Sequence, residues 1–361
     1  MSEHFLAQWP QFDRKRFVSA ASRNLDALEL KERSDQITEA MIQFLPEDYE
    51  HAAKILLKSL GTPLLDGLDG SINDEGIAGW AVMPMTHYVG QRGLMHFDLS
   101  MELFKEMTKR SSSEFGIRYF LKREPEKTLA TLNKWIKDEN HHVRRLISEG
   151  TRPRLPWGMR LSQFVEDPIP VIEILEQLKD DESEYVRRSV ANNLNDIAKD
   201  HPEKVSRIAK RWLVDANKER ERLIQHACRT LIKNGDKKTL STFGYKKPKI
   251  SNACLNVLTP KVELGKNLEF TLSVDSIAKH FQPVIIDYIV HHQKANGTTS
   301  PKVFKWRKTE LQAKGSLDLF KKHSMKKVTT RVYYPGLHTL EVMINGVSVG
   351  KKDFQLVIAQ T

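Results

Sequence analysis

The chain of 361 residues contains only two cysteines, Cys228 and Cys254. Two irregularly placed cysteines cannot build a disulfide framework or a zinc cluster, and their scarcity is typical of a protein from the reducing cytoplasm. No apolar run of about 18 residues occurs, and the first residues lack the apolar core of a signal peptide. The sequence therefore predicts a cytoplasmic protein with no membrane span, associated with the nucleoid if the source is a bacterium.

Familiar catalytic and cofactor motifs are also missing. The phosphate-cradling patterns GxxxxGK[ST] and strand-linked GxGxxG do not occur, and neither does an HExxH, Ser-His-Asp or Cys-His arrangement. The 13 histidines do not have metal-ligand spacing, and the His141-His142 and His291-His292 pairs are expected to be solvated. No metal and no cofactor is predicted, so any chemistry would fall to carboxylates.

The charge is positive and unevenly distributed. Residues 251–361 carry 16 Lys/Arg against 8 Asp/Glu, whereas residues 1–250 carry 41 against 38. A strongly basic segment indicates a polyanionic partner, of which nucleic acid is the commonest. A uniformly basic surface without a specific partner is the alternative.

Residues 1–250 are expected to be helical and repetitive. Pro125, Pro168 and Pro202 each stand at the start of an apparent helix, where a missing N–H costs nothing. The intervals of 43 and 34 residues between them average near 40, the length of a HEAT-type helical pair. The fold class predicted for this region is an all-α solenoid of HEAT-like repeats, which stacks one helix of each pair along a concave surface.

Three helices align a polar stripe opposite their apolar faces. In HHVRRLISEG and YVRRSVANNLNDIAKD the apolar positions recur at helical spacing, and RLIQHACRTLIKNG is read as a third helix in the same register. The stripe carries Arg145 and Glu149, then Arg188, Asn192 and Asp196, then Arg229 and Lys233. A solvated polar face is the alternative interpretation.

The middle repeat alone contains a long insertion, residues 150–167. It carries Arg152, Arg154 and Arg160 together with Trp157. Arginine makes bidentate phosphate contacts and tryptophan offers a stacking surface for a base or sugar. Trp157 could instead fill the gap between repeats.

From residue 251 the apolar period changes from 3.6 to 2. Seven predicted strands and an Asn345-Gly346 turn indicate a small immunoglobulin-like β-sandwich over residues 251–361. Lys302, Lys305 and Arg307 lie in this region and suit sequence-independent phosphate contact, or they serve solubility.

Carboxylates on a basic stripe suit the cleavage of an N-glycosidic bond. As the base leaves, the sugar becomes an oxocarbenium-like cation, which a carboxylate can stabilise while it orients or deprotonates water. A base that is already cationic through alkylation leaves without protonation, so no general acid is required.

At these residues the sequence resembles a known family. VRRLISEGTRPRLPW and VRRSVANNLNDIAKDHPE resemble signature segments of the AlkC branch of the HEAT-like-repeat alkylpurine DNA glycosylases, some of which carry an immunoglobulin-like domain. The resemblance implies a monofunctional glycosylase, without metal or cofactor, that removes 3-methyladenine and 3-methylcytosine from duplex DNA. It also implies excision without flipping the base into a pocket.

The resemblance also implies the site residues. Glu149 and Asp196 would face the deoxyribose, Trp157 would contact the lesion nucleotide, and Glu114 would complete the acidic cluster. Two alternatives remain open, because Glu114 could form a capping box with Ser111, and Glu149 could be a surface residue paired with Arg145.

A non-catalytic helical-repeat scaffold that binds nucleic acid or protein is the second functional hypothesis. The expected partner is double-stranded DNA with alkylated bases, and the expected oligomeric state is a monomer.

Overall fold

A computed structural model describes residues 1–64 and 75–358. Contacts between residues divide the chain into two compact units. The helical unit comprises residues 1–205 and 215–227, and the β-rich unit comprises residues 206–214 and 228–361. Helix gives way to strand between Thr242 and Ile250, where the sequence predicts the change of architecture.

The described residues contain sixteen α-helices. They are α1 (Ser2–Gln8), α2 (Arg14–Ser22), α3 (Leu30–Phe44), α4 (Tyr49–Lys58), α5 (Val82–Arg92), α6 (Phe97–Thr108), α7 (Ile117–Arg123), α8 (Pro125–Lys134), α9 (His141–Gly150), α10 (Ser162–Glu166), α11 (Ile169–Leu178), α12 (Glu184–Ile197), α13 (Pro202–Trp212), α14 (Lys218–Ala227), α15 (Arg229–Lys233) and α16 (Lys237–Thr242).

The three prolines of the predicted repeat do stand at helix starts. Pro125 and Pro202 are the first residues of α8 and α13, and Pro168 caps α11. Each position tolerates proline because the first turn of a helix has no acceptor for the missing N–H. The helices α8, α11 and α13 therefore begin where the sequence predicts.

Helix α12 packs between α9 and α14 in the helical unit. The apolar faces predicted for α9 and α12 are buried, with Val143 and Leu146 at 0% exposure and Val190 also at 0%. The predicted third helix is not continuous, because α14 ends at Ala227 and a separate short helix, α15, begins at Arg229. Apolar spacing runs unbroken through Cys228, so the sequence gives no sign of this break.

The insertion of the middle repeat forms a loop and a short helix. Helix α9 ends at Gly150, and the loop runs to α10 at Ser162. We call residues 151–161 the insertion loop.

The β-rich unit contains two sheets. Strands β1 (Ile250–Val257), β3 (Asn267–Ser276) and β6 (Ser316–Ser324) form one sheet in the order β1-β3-β6. Strands β2 (Lys261–Glu263), β4 (Gln282–Gln293), β5 (Thr299–Leu311), β7 (Gly336–Ile344) and β8 (Val347–Val357) form the other in the order β2-β8-β7-β4-β5. Side chains of both sheets contribute to one buried hydrophobic cluster, including Phe270, Ile286 and Leu340.

All seven predicted strands are present, and the eighth, β2, has only three residues. The Asn345-Gly346 turn joins β7 to β8 with φ of 49° and 73°. Two successive positive φ values match the twist of a hairpin, and Asn-Gly adopts them at low cost.

The two cysteines of the β-rich unit differ sharply in exposure. Cys228 is buried whereas Cys254 is exposed.

The histidine pairs were expected to be solvated, but this expectation is wrong for His142 and His292, which are 3% and 4% exposed. Alternation along β4 turns His292 inward, because successive side chains of a strand point to opposite faces.

Across the described ranges, no helix is long and apolar enough to cross a membrane.

Candidate active site

Arg152 joins the two carboxylates at the centre of the site. Its Nη1 donates to Oε1 of Glu149 at 2.6 Å, and its Nε donates to Oδ2 of Asp196 at 2.7 Å. Glu149 lies in the last turn of α9 and Asp196 near the end of α12. Because these helices pack side by side, one guanidinium reaches both carboxylates.

Each of the two carboxylates has a further donor. The Ser189 hydroxyl donates to Oε2 of Glu149 at 2.7 Å, and the Lys199 ammonium donates to Oδ1 of Asp196 at 2.8 Å. Glu149 and Asp196 are only 5% and 2% exposed. Buried charges of this kind are tolerated only when they are paired and hydrogen-bonded, and both conditions are met.

Arg145 connects Glu114 to the same network. Its Nη1 donates to Oε2 of Glu114 at 2.7 Å, and its Nη2 lies 3.6 Å from Oε1 of Glu149. The Ser112 hydroxyl also donates to Glu114 at 2.7 Å. Helix α7 begins at Ile117, so Glu114 does not occupy the position that a capping box requires, and that alternative is wrong.

The three carboxylates and two guanidiniums therefore form one continuous network, which we call the acidic cluster: Glu114, Arg145, Glu149, Arg152 and Asp196. Burial alone would raise the pKa of Glu149, but the charges of Arg145 and Arg152 and the hydrogen bonds from Ser189 and Arg152 hold it below its ordinary value. Glu149 is thus anionic at neutral pH. The interpretation of Glu149 as a solvated surface residue does not fit its burial.

Trp157 stands at the exposed tip of the insertion loop. Its side chain is 71% exposed, so it does not fill a gap between repeats. Its φ of 61° lies in the left-handed region, which a bulky residue adopts only when its surroundings enforce it. Leu155 and Leu161 of the same loop are 5% and 0% exposed, which anchors the loop while its tryptophan points outward.

Arg118 of α7 lies under this loop at 0% exposure. It donates to the carbonyl oxygens of Gly150 at 2.7 Å, Arg152 at 2.8 Å and Met159 at 2.7 Å. The arginine thus contacts the chain on both sides of Trp157.

The cations predicted to bind DNA fall into two groups. Arg145 and Arg152 are engaged by the acidic cluster, and Arg154 donates to both oxygens of Asp200 at 2.7 and 2.6 Å. The exposed members whose side chains form no hydrogen bond or ion pair with any described residue are Arg160, Arg188, Lys233, Lys302, Lys305 and Arg307.

Asn192 and Arg229 complete the predicted set. Asn192 is half-buried, and its Oδ1 lies 2.9 Å from Nε2 of His226. Arg229 and Lys233 belong to α15 in the β-rich unit, so the polar stripe of one helical surface is established only for α9 and α12.

Several residues of this region were not anticipated from the sequence. Ser189 and Lys199 bind the carboxylates, and Tyr185 lies under Arg145 with its ring centre 5.0 Å from the guanidinium carbon. Ser189 follows Arg188 in the predicted stripe helix, so its closeness to Glu149 could have been tested by aligning α9 with α12. No sequence signal marks Arg118, because its partners are backbone carbonyls.

No group of three or more His, Cys, Asp or Glu side chains within residues 1–64 and 75–358 is arranged to hold a metal ion.

Comparison with known proteins connects this arrangement to DNA repair. Residues 110–231, which contain the whole acidic cluster and Trp157, match the family described as DNA alkylation repair enzyme. Residues 251–358 match the family described as the C-terminal immunoglobulin-like domain of the uncharacterised protein YhaZ.

Two relatives align along nearly the full chain. The uncharacterized protein YhaZ of Bacillus subtilis is 38% identical over 98% of this chain and 95% of its own length. The alkylpurine DNA glycosylase AlkC of Pseudomonas fluorescens, solved bound to DNA containing an abasic site analog, is 34% identical with a TM-score of 0.85. That alignment covers 99% of this chain and 96% of the AlkC chain.

The chain belongs to the AlkC-like DNA alkylation repair enzyme family and has the AlkC-like fold, with an immunoglobulin-like C-terminal domain.

Proposed function

We propose that the protein is a monofunctional DNA glycosylase that hydrolyses the N-glycosidic bond of cationic N3-alkylated bases, 3-methyladenine and 3-methylcytosine, in duplex DNA. The observation that carries the proposal is the acidic cluster, in which one guanidinium holds Glu149 and Asp196 together. The match of residues 110–231 to the DNA alkylation repair enzyme family supports the same function.

The reaction needs stabilisation of a developing positive charge. As the C1′–N bond breaks, the electron pair leaves with the base, which departs neutral because it was cationic, and the sugar becomes oxocarbenium-like. Water then adds its oxygen to C1′ and releases one proton. Carboxylates held anionic and fixed in place stabilise such a cation without reorganising during the reaction.

The arginines of the acidic cluster have a structural role in this mechanism. Arg145 and Arg152 lie between the carboxylates and hydrogen-bond to them, so they reduce the repulsion among three anions and fix their geometry. They are not free to bind phosphate. This role differs from the phosphate contact expected for them from the sequence.

Phosphate binding is proposed for the exposed cations instead. Arg160 lies in the insertion loop beyond Trp157, and Arg188 lies on α12 two turns before Asp196, about 12 Å along the helix axis. Lys302, Lys305 and Arg307 are exposed on β5, an edge strand of the five-stranded sheet. Free guanidinium and ammonium groups at a surface suit sequence-independent phosphate contact.

Trp157 is proposed to contact the lesion nucleotide. An exposed indole held by a packed loop offers a flat apolar face to a base or sugar, and base-aromatic stacking contributes about 1–3 kcal/mol per base. Excision without flipping the base into a pocket, a monomeric state, HEAT-like stacking of the helical pairs and a sandwich arrangement of the two sheets are part of the same proposal.

The decisive experiment is release of free base. One duplex is methylated directly to carry 3-methyladenine, and another is annealed from a strand methylated while single to carry 3-methylcytosine. Each is incubated with the protein, and the released bases are quantified by chromatography, with the same DNA without protein and unmethylated duplex as controls. Release of methylated base and formation of abasic sites, both much faster than without protein, support the glycosylase. DNA binding without release would favour the non-catalytic scaffold.

A further inference from the structure

Arg118 is a buried cation whose hydrogen-bond partners are backbone carbonyls. Its exposure is 0%, and no carboxylate of the described residues forms an ion pair with it. Burial lowers the pKa of Arg118 to about 10, so it still carries its charge at neutral pH. Burying a charge is costly, and an apolar residue of similar volume often stabilises a core as well or better. Filling space therefore does not account for an arginine here.

The carbonyls that Arg118 binds mark the two ends of one segment. Gly150 and Arg152 lie where the chain leaves α9, and Met159 lies two residues after Trp157. Arg118 thereby ties together the start and the end of the segment that carries the exposed tryptophan. A backbone hydrogen bond also closes the insertion loop, because the N–H of Leu161 donates to the carbonyl oxygen of Pro153 at 3.2 Å.

Arg118 is also linked to the acidic cluster through Arg152. It binds the carbonyl oxygen of Arg152, and the guanidinium of Arg152 in turn holds Glu149 and Asp196. The Arg118 side chain thus fixes two things: the backbone of Arg152, whose guanidinium lies between the carboxylates, and the loop that presents Trp157.

We propose that Arg118 is a positioning residue that couples the acidic cluster to the insertion loop, so that Glu149, Asp196 and Trp157 keep one fixed arrangement. The proposal rests on the glycosylase function. Chemistry that depends on positioned groups is sensitive to displacements of about 1 Å, which can cost roughly 100-fold in rate. DNA affinity draws mainly on exposed cations outside the insertion loop, so this displacement should change it less than it changes the rate.

The first test compares Arg118→Met with Arg118→Lys in the full-length protein. Single-turnover release of 3-methyladenine at saturating protein is measured beside the affinity for duplex DNA containing an abasic site analogue. We expect Arg118→Met to slow release by about 100-fold with little change in affinity. Arg118→Lys, which keeps the charge and can reach fewer carbonyls, should recover part of the rate.

The second test reads the loop directly. Trypsin should cleave Arg154–Leu155 and Arg160–Leu161 faster in Arg118→Met than in the wild type, with no change at sites outside the insertion loop. Arg220→Met is the matched control, because Arg220 donates to both oxygens of Asp180 at 2.6 Å and forms no hydrogen bond or ion pair with the described residues of the insertion loop. It should leave both release and loop cleavage unchanged.

Specific outcomes would overturn the coupling. Wild-type release by Arg118→Met, or slowed release that matches only its unfolded fraction, would remove the positioning role, as would unchanged loop cleavage. If Arg118→Met does not fold, Arg118→Lys is judged by the same two measurements. If the wild type releases no methylated base, the glycosylase proposal fails, and loop cleavage alone still decides whether Arg118 holds the loop.

Discussion

Cationic side chains are paired with carboxylates in the acidic cluster of the helical unit, but those on strand β5 of the β-rich unit are exposed and unpaired among the described residues. In the cluster, Arg145 and Arg152 are buried or nearly so and form ion pairs with the carboxylates. On β5, Lys302, Lys305 and Arg307 are exposed and form no ion pair with any described residue. Arginines that hydrogen-bond to carboxylates are engaged within the protein, whereas cations without ion pairs remain available to a polyanion.

This comparison separates two effects that a count of charges merges. The helical region is nearly balanced in charge and the C-terminal region is strongly basic. The balanced region contains the buried ion pairs of the acidic cluster, and the basic region contains exposed cations, for which we propose non-specific contact with DNA. Catalysis and affinity should therefore respond to different substitutions.

The largest effect is expected in the acidic cluster. Glu149→Gln or Asp196→Asn should slow release of 3-methyladenine by about 100- to 1000-fold, because each removes a fixed negative charge from the developing cation. Affinity for abasic-analogue DNA should persist. The measurement is single-turnover release beside a binding titration.

Both variants leave a buried guanidinium partly unpaired, which can cost about 3–5 kcal/mol of stability, so release is compared below the unfolding temperature of each. Asp180→Asn is the matched control, since it removes a carboxylate from the exposed pair with Arg220 and should not slow release. Wild-type rates in both Glu149→Gln and Asp196→Asn would rule out these carboxylates.

The next effect concerns β5. Replacing Lys302, Lys305 and Arg307 by glutamine should lower the slope of log affinity against log salt by roughly 2–3, since each phosphate contact contributes about 0.9. Single-turnover release at saturating protein should be retained. A control triple, Lys279, Lys294 and Lys314 to glutamine, removes the same charge from loops of the β-rich unit rather than from β5. Equal slopes for the two triples would mean that only net charge matters.

The buried histidines of the β-rich unit predict a pH dependence of stability. Burial lowers the pKa of His292 to about 3 and of His323 to about 4, whereas unfolded histidine titrates near 6.5. The unfolded chain binds more protons between these values, so stability is full above about pH 6.5 and falls as the pH decreases. Each ring should account for about 2 kcal/mol between pH 7 and pH 5.

Denaturant unfolding of His292→Gln at the two pH values measures this contribution. The variant should lose less stability on acidification than the wild type. His280→Gln, at an exposed position, should behave as the wild type does. An unchanged pH dependence in His292→Gln would mean that this ring does not resist protonation.

The smallest effect distinguishes free from paired arginines within the helical unit. Arg160→Ala and Arg188→Ala should each lower the salt slope by about 1 and weaken binding to all sequences alike. Arg152→Ala should instead slow single-turnover release at saturating protein, because its donors hold Glu149 and Asp196. If Arg152→Ala changed only the salt slope, it would be a phosphate ligand after all.

The sequence predicted the elements of this fold better than their limits. Prolines marked the starts of α8, α11 and α13, and alternating apolar residues marked seven of the strands, because both signals are local. Strand β2 has only three residues, too few for a period to emerge. The break at Cys228 was missed because the apolar spacing continues through it.

The sequence predicted which residues the candidate site contains, but not which of them form ion pairs with one another. Register on α9 and α12 placed Glu149 and Asp196 on one stripe, and the family resemblance added Glu114 and Trp157. A solvated polar face was the alternative interpretation of this stripe, and it does not fit the burial of both of its carboxylates. Which arginine pairs with a carboxylate and which remains free depends on contacts about 30 to 45 residues apart, such as Arg152 with Asp196, and local patterns carry no information about them.

The contrast between the two cysteines makes the protein convenient for spectroscopy. Cys254 on β1 is exposed, whereas Cys228 is buried and burial raises the pKa of its thiol to about 12. Only thiolate attacks an electrophile at an appreciable rate, so a maleimide dye should attach at Cys254 alone without removal of the other cysteine. A single fluorophore on the β-rich unit would then report when that unit meets DNA, in real time and in the wild-type sequence.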